Sequence, residues 1–343
     1  MTGFAAIIGH EGPVALLRRE IARPAGAYLF VGAAGVGKAT VGRAFAAGLV
    51  CPESFDHAEP CRSCRRVATG NHPDIVAVVP EGRQSLGVEQ ARSTIAQAVM
   101  TPVESVRKVF IFPEADAMTD QAANALLKTL EEPTATTVFI LVVESEDDLP
   151  STVASRCRTV HFGRVPEETL REALAARPGT DPLVAADLAR VAAGRPGLAL
   201  GLLERPEIGR YRRAWLDAPG RVSDRTGEAF VLAGEMLDLT EEMLPDPAED
   251  LSKDQAERDR RRSRQALLAS GLEILASWYA DAATLQFGGP VRNTDLDVAE
   301  LTTVSAGRAI RNADHALDAV LDLGANLRPQ LVLANLFIAL AAD

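Results

Sequence analysis

The chain has 343 residues, of which 47% are hydrophobic and 24% charged, and this composition predicts a globular protein of two or three domains. Its formal net charge of −11 argues against a surface that coats nucleic acid through clustered lysine and arginine. The longest apolar run, Leu331 to Ala342, is about half the roughly 20 residues that a membrane-spanning helix needs, and no signal pattern opens the chain. We therefore expect a cytoplasmic protein without membrane contact.

Five short β-rich runs alternate with helical patterns over residues 1–163. Most of these runs are continuously apolar, as expected for a parallel sheet that is covered on both faces. The predicted strands are Tyr28–Val31, Ile75–Val79, Lys108–Phe112, Val138–Val143 and Thr159–Phe162. Alternation of this kind predicts a layered α/β domain.

A helix is predicted between the third and fourth of these strands. Thr119 suits its N-cap, and Pro133 ends it. Its apolar residues recur at the spacing of one helical face: Ala123, Leu126, Leu127 and Leu130.

Strand patterns disappear from about Val165 onward. Residues 165–205 predict a small helical unit with three helices, over Pro166–Ala176, Asp181–Ala193 and Leu198–Leu203. Residues 206–343 predict a further helical domain. The mixed-charge stretch from Asp246 to Arg264 is interpreted as a solvated loop and helix face.

A glycine-rich segment, Gly32 to Lys38, follows the first predicted strand and precedes a helical pattern over Thr40–Leu49. This is the context of a P-loop, in which backbone N–H groups converge on phosphate oxygens at a helix N-terminus. In such a loop Lys38 reaches the β- and γ-phosphates. The candidate nucleotide-binding residues are Gly32, Gly35, Val36, Gly37, Lys38, Ala39 and Thr40.

Three positions that serve ATP hydrolysis in P-loop enzymes carry apolar residues. Ala39 stands where a hydroxyl would bind Mg²⁺, and Thr40 is rotated from that position by about 100° around the helix. Pro113 stands where the third strand would end in a metal-binding Asp, although Glu114 keeps the catalytic-base position. Val143 closes the next strand, where a polar residue often orients the water. These positions together predict that hydrolysis has been lost, while weak binding of ATP or ADP remains open.

Residues 1–163 resemble the AAA+ module of the clamp-loader subunits of bacterial DNA polymerase III. The resemblance rests on the P-loop, on the segment from Ala123 to Pro133 (ANALLKTLEEP) and on Ser155-Arg156-Cys157. More loosely, the segment from Asn326 to Leu331 resembles the last helix of the family's C-terminal collar. The resemblance implies an α/β AAA+ P-loop domain with a parallel sheet over residues 1–163. A small helical lid over residues 164–205 and an all-α collar for oligomerisation over residues 206–343 would follow.

The resemblance also implies a role for Arg156. The arginine of the family's Ser-Arg-Cys motif is an arginine finger, which reaches the γ-phosphate bound by a neighbouring ATPase subunit. The alternative interpretation is a structural arginine that pairs with a carboxylate. In the lid, Gly197 stands where the family often has an arginine that contacts the chain's own nucleotide, and Arg195 lies two residues earlier.

Family members carry a four-cysteine zinc module after the P-loop helix, and residues 51–72 resemble this insertion. Three of its cysteines are present here: Cys51, Cys61 and Cys64. The missing ligand falls at Ala58, next to His57, and a structural zinc takes four ligands. The leading hypothesis is a structural zinc bound by the three cysteines and His57. The alternatives are His72 as the fourth ligand, or a metal-free knuckle.

The resemblance implies a non-hydrolysing stator at one end of a hetero-pentameric clamp loader. Its partners would be the gamma/tau motor subunits and delta, with the sliding clamp and primer-template DNA reached through the complex. The chain would thus belong to a DNA-directed DNA polymerase holoenzyme, although no carboxylate set here suits a two-metal polymerase site. The alternative is an ATP-hydrolysing gamma/tau-like motor subunit. An AAA+ remodelling factor outside replication would leave the ANALLKTLEEP and Ser-Arg-Cys motifs unexplained.

Overall fold

The computed structural model describes residues 3–53, 59–80, 85–203, 205, 207–244, 253–325 and 327–342. The chain divides into two compact units. The first comprises residues 1–170 and 195–197, and the second comprises residues 171–194 and 198–343.

The first unit is built on a five-stranded parallel sheet. Its strands are β1 (Ala27–Val31), β2 (Ile75–Ala77), β3 (Lys108–Phe112), β4 (Thr137–Val143) and β5 (Arg158–His161). They lie in the order β2-β3-β4-β1-β5, and each neighbouring pair is parallel. Every residue of β1, β3 and β4 is buried, because helices cover both faces of the sheet. The predicted parallel α/β sheet is confirmed.

The first unit contains the helices α1 (Glu11–Glu20), α2 (Lys38–Val50), α3 (Arg62–Ala68), α4 (Val88–Ala98), α5 (Asp120–Glu131) and α6 (Ser151–Ala154), and α7 (Glu167–Ala175) begins in it. Phe45 of α2 packs with Phe30 and Ile140 in one core cluster. Leu126 of α5 packs with Phe139 in a second cluster, formed by alternate residues of the same strands. The two helices therefore bury opposite faces of the sheet.

Helix α5 follows the predicted pattern. The Thr119 hydroxyl oxygen accepts the backbone N–H of Ala122 at 3.2 Å, which caps the helix. Ala123, Leu126 and Leu130 are buried, as the i, i+3, i+7 spacing requires.

The strand register places three chain segments at one edge of the sheet. Val31 at the end of β1 pairs with Val143 at the end of β4, and Phe112 at the end of β3 pairs with Leu141. Because the strands are parallel, the loops that leave β1, β3 and β4 emerge at this same carboxyl edge. The P-loop and the two hydrolysis positions after β3 and β4 therefore lie together.

The second unit is helical. Its helices are the rest of α7, α8 (Pro182–Ala192), most of α9 (Pro196–Gly201), α10 (Ile208–Asp217), α11 (Thr226–Met243), α12 (Lys253–Gln286), α13 (Val298–Leu301), α14 (Ala306–Gly324) and α15 (Pro329–Ala341). None of the residues described after His161 belongs to a strand. Within the described part of the chain, no helix has the length and apolarity needed to cross a membrane.

A buried polar network fixes one loop of the second unit to its helices. Arg212 of α10, 4% exposed, donates to both carboxylate oxygens of Asp295 at 2.5 and 2.8 Å and to Asn293 Oδ1 at 2.8 Å. The Asn293 amide in turn donates to Asp281 Oδ2 of α12 at 2.8 Å. The hydrogen bonds from Arg212 lower the pKa of Asp295 to about 2. The buried guanidinium is thereby matched with a charged partner.

Candidate functional site

The loop between β1 and α2 has the backbone geometry that the predicted P-loop requires. A Cβ on Gly32 would lie 2.2 Å from the carbonyl oxygen of Phe162, so only glycine fits there. Gly37 has φ 106°, a left-handed conformation that favours glycine, and it is the N-cap of α2. The N-terminus of a 13-residue helix therefore adjoins the loop, and its dipole favours a bound anion.

Lys38 is directed at the loop itself. Its side chain is 7% exposed, and Nζ donates to the carbonyl oxygens of Gly32 at 2.5 Å and Ala33 at 2.8 Å. An ammonium group in this position carries the charge that phosphate oxygens would meet. Val36, by contrast, is fully buried in the core cluster, so its backbone but not its side chain can serve the loop.

Two further contacts hold the loop, and the sequence did not indicate either of them. His10 Nε2 lies 2.8 Å from the carbonyl oxygen of Val36, which makes this ring nitrogen the donor. The N–H of Gly197, which belongs to the first unit, donates to the carbonyl oxygen of Gly35 at 2.8 Å. A Cβ on Gly197 would lie 3.0 Å from that same oxygen. The glycine therefore allows close backbone approach at the position where the family often has an arginine.

The residues at the hydrolysis positions lie as the register requires. Pro113 and Glu114 directly follow β3, and Glu114 is 7% exposed. Val143 is buried at the end of β4. Thr40 is exposed, in agreement with its rotation away from the Ala39 position. Glu114 retains a carboxylate, whereas neither the side chain of Ala39 nor that of Pro113 has an atom able to ligate Mg²⁺.

Arg156 follows α6 and is partly open to solvent, with a side chain that is 30% exposed. Its Nε donates to Glu131 Oε1 at 2.6 Å, and its Nη2 donates to the same oxygen. Its Nη1 donates to the carbonyl oxygen of Thr152 at 2.6 Å. The arginine is thus paired with a carboxylate, as the alternative interpretation expected, while part of its guanidinium remains accessible.

Cys51, Cys61 and Cys64 come together as a candidate metal centre. Their sulfur atoms all lie within 4.8 Å of one another, and those of Cys51 and Cys61 are 3.8 Å apart. A tetrahedral zinc with Zn–S bonds of about 2.3 Å would place its sulfur ligands about 3.8 Å apart, so the cluster fits. The predicted fourth ligand, His57, lies outside the described residues.

The local backbone favours a thiolate at Cys61. This residue is the N-cap of α3, and its sulfur accepts the backbone N–H of Cys64 at 3.4 Å. Burial opposes ionisation, but the N–H groups of Cys64 and Ser63 and the neighbouring thiols outweigh it and lower the pKa of Cys61. Zinc takes cysteine as the thiolate, so this polarisation suits a metal ligand.

His72 has other partners than the three cysteines. It is buried, its Nδ1 accepts the backbone N–H of Asp74 at 3.1 Å, and its Nε2 lies 2.8 Å from Ser63 Oγ. Because Nδ1 is an acceptor, the proton of the neutral ring resides on Nε2. In this arrangement neither ring nitrogen has a lone pair free for a metal.

Comparison with known proteins shows a similarity over part of the chain. Residues 10–166 match the family model described as DNA polymerase III, delta subunit. The chain is 38% identical to DNA polymerase III subunit delta' of Bacillus subtilis over 149 residues, which are 43% of this chain and 45% of that protein. The delta' subunit of Pseudomonas aeruginosa is 39% identical over 139 residues, 40% of this chain and 42% of that protein. Over residues 10–166 the chain is thus similar to the DNA polymerase III delta-subunit family.

The family-model match over residues 10–166 lies within the first unit. The match spans less than half the length of the delta' relatives. DNA polymerase III subunit tau of Salmonella typhimurium is also similar, at 34% identity over 176 residues, 50% of this chain and 27% of that protein. A gamma subunit-related protein of Thermotoga maritima aligns over 96% of this chain and 98% of its own, but at 18% identity and a TM-score of 0.47 it adds nothing to the assignment.

Proposed function

We propose that this chain is a clamp-loader subunit of DNA polymerase III, and that it is a non-hydrolysing stator of the delta' kind. The observation that carries the proposal is the set of apolar residues at the hydrolysis positions, Ala39, Pro113 and Val143. ATP hydrolysis needs Mg²⁺ to bridge the β- and γ-phosphate oxygens and neutralise the charge that develops there. Two of the usual protein groups that hold this ion are missing, so a nucleotide bound by Lys38 and the loop would not be hydrolysed efficiently.

A motor subunit is the competing function, since relatives named tau and gamma match as much of the chain as those named delta'. Overall identity does not separate the two. The hydrolysis positions favour the stator, because the side chains of Ala39 and Pro113 carry no atom that could ligate Mg²⁺.

In this proposal Arg156 is supplied in trans to a neighbouring motor subunit. A stator without its own hydrolysis contributes to the ATPase cycle only through groups that it presents to a partner's nucleotide. A partly exposed guanidinium suits that role, because its remaining donors match phosphate oxygens. The partners would be gamma/tau motor subunits and delta in a hetero-pentamer that loads the sliding clamp on primed DNA.

A structural zinc completes the proposal. The three cysteines and His57 would hold it between the end of α2 and the start of α3, where it would stabilise the inserted segment. With four protein ligands the ion has no open position, so it would take no part in catalysis.

Assembly with the motor subunits is the first test of the proposal. We expect the purified chain to co-elute with a gamma/tau-type subunit of the same source and with delta in size-exclusion chromatography. Only the complex that contains the chain should then show DNA- and clamp-stimulated ATPase activity. Separate elution of the chain, or a complex with undiminished stimulated activity without it, would contradict the proposal.

A further inference from the structure

The carboxylate that Arg156 contacts suggests a second residue for the trans reaction. We infer that Glu131 is a positioning residue, which holds the Arg156 guanidinium ready for the phosphate of a neighbouring subunit. This inference rests on the proposed role of Arg156. It gives a role to Glu131, the first of the two glutamates in the ANALLKTLEEP segment.

The hydrogen bonds of Arg156 leave part of its guanidinium free for a phosphate. A guanidinium has five N–H donors. Glu131 Oε1 accepts one from Nε and one from Nη2, and the carbonyl oxygen of Thr152 accepts one from Nη1. The remaining two donors, one on each terminal nitrogen, are the number that a bidentate contact with phosphate oxygens uses.

Both anchors of Arg156 are themselves held in place. Glu131 is the last residue of α5, and the preceding Leu130 is buried in the core cluster beside the sheet. Thr152 lies in α6, where the neighbouring Val153 is buried in the same cluster. A long side chain that is already fixed at two points loses less conformational freedom on binding a phosphate than a mobile side chain does. Its guanidinium is also already in position for the phosphate.

The negative charge of Glu131 has two opposing effects on the binding of a phosphate by Arg156. A carboxylate beside the guanidinium reduces the positive charge that a phosphate meets. However, the two side chains are 30% and 45% exposed, and water screens an ion pair at such a site strongly. Solvent screening weakens the electrostatic effect of Glu131 on a phosphate but does not change the position in which Glu131 holds the guanidinium. We therefore expect the gain from positioning to exceed the small loss of attraction between Arg156 and the phosphate.

The test uses the reconstituted clamp-loader complex and its DNA-stimulated ATPase, with kcat and KM for ATP measured separately. Glu131→Ala should lower the Arg156-dependent part of kcat by about tenfold, as a slightly misplaced catalytic group does, with KM little changed. Glu131→Asp keeps the charge but withdraws the oxygen by one methylene, and should show most of the same loss. Glu131→Gln keeps an accepting oxygen at the same reach and should recover at least half of the rate.

The matched control is Glu132→Ala, since Arg156 donates its hydrogen bonds to Glu131 and Thr152 and not to this adjacent glutamate. It should leave kcat near the wild-type value. In an Arg156→Ala background, Glu131→Ala should cause no further loss, because it acts through the arginine.

Four results would overturn the inference. A rate that rises in Glu131→Ala would show that the glutamate restrains the arginine. Equal losses in the presence and absence of Arg156 would show a merely structural role. A loss with Arg156→Ala but none with Glu131→Ala or Glu131→Asp would keep the arginine-finger role of Arg156 and remove the role of Glu131 alone. No loss with Arg156→Ala would remove both of these roles.

Discussion

In Arg156→Ala, ATP turnover at the one nucleotide site that faces this chain is expected to fall by about 10³-fold or more, the effect of removing a trans arginine finger from GTPases. The chain should remain folded, because the Arg156–Glu131 pair is partly exposed and such pairs contribute about 1 kcal/mol or less. In the proposed complex, motor sites that face other subunits would keep their own fingers. The steady-state ATPase rate of the complex would therefore fall to the rate of those other sites. A single-turnover measurement of ATP hydrolysis would show the slowed site that faces Arg156 as a separate slow phase.

Arg158→Ala is the matched control for this experiment. Arg158 lies two residues away on β5 and pairs with Glu20 at 2.6 Å, so its removal also costs an ion pair of an arginine with a glutamate. It should leave the ATPase rate of the complex unchanged. If Arg156→Ala and Arg158→Ala give the same stimulated rate and the same single-turnover profile as the wild type, Arg156 is not a finger.

Metal analysis of the purified chain is expected to give about one zinc per molecule. Structural zinc sites contribute roughly 10 kcal/mol or more to folding in isolated zinc-finger peptides, so loss of a ligand has a large local effect. Cys64→Ser should abolish stoichiometric zinc and lower the melting temperature by several degrees. His57→Ala should weaken zinc retention against a chelator, whereas His72→Ala should leave the zinc content near one, since its ring nitrogens bond to Ser63 and Asp74.

Cys157→Ser is the control for the cysteine variants. Cys157 packs beside the core cluster of the sheet, away from the other cysteines, and burial raises its pKa to about 12, which makes it an inert thiol. Its replacement should leave the zinc content unchanged. Metal-free protein with an undiminished melting temperature would instead support the degenerate, metal-free knuckle.

The arrangement of the sheet was predictable because its signals are local. The β3 strand was predicted with the bounds that the structure gives it, and the other strands within one or two residues, since a buried parallel strand is a continuous apolar run. The P-loop was equally clear, because its glycines meet a local steric demand that no other residue satisfies. Gly37, with its left-handed φ of 106°, is the plainest example.

The contacts that position side chains were not predictable in the same way. His10 and Val36 are 26 positions apart in the chain, and Arg156 and Glu131 are 25 apart, so no periodicity links them. For His72, sequence spacing left open a role as zinc ligand. Whether His72 can bind zinc depends on which of its ring nitrogens carries the proton. The backbone N–H of Asp74 donates to Nδ1 and so places the proton on Nε2, and this contact exists only in the folded chain.

Steady-state ATP hydrolysis by the purified chain alone, with Mg²⁺ and primed DNA, tests the stator proposal most directly. The matched control is Lys38→Ala, which removes the ammonium group from the P-loop and sets the background rate. The account predicts a rate for the wild-type chain that does not exceed this background, because Ala39 and Pro113 supply no ligand for the metal ion. A clear rate that Lys38→Ala abolishes would contradict it and would make the chain a motor subunit.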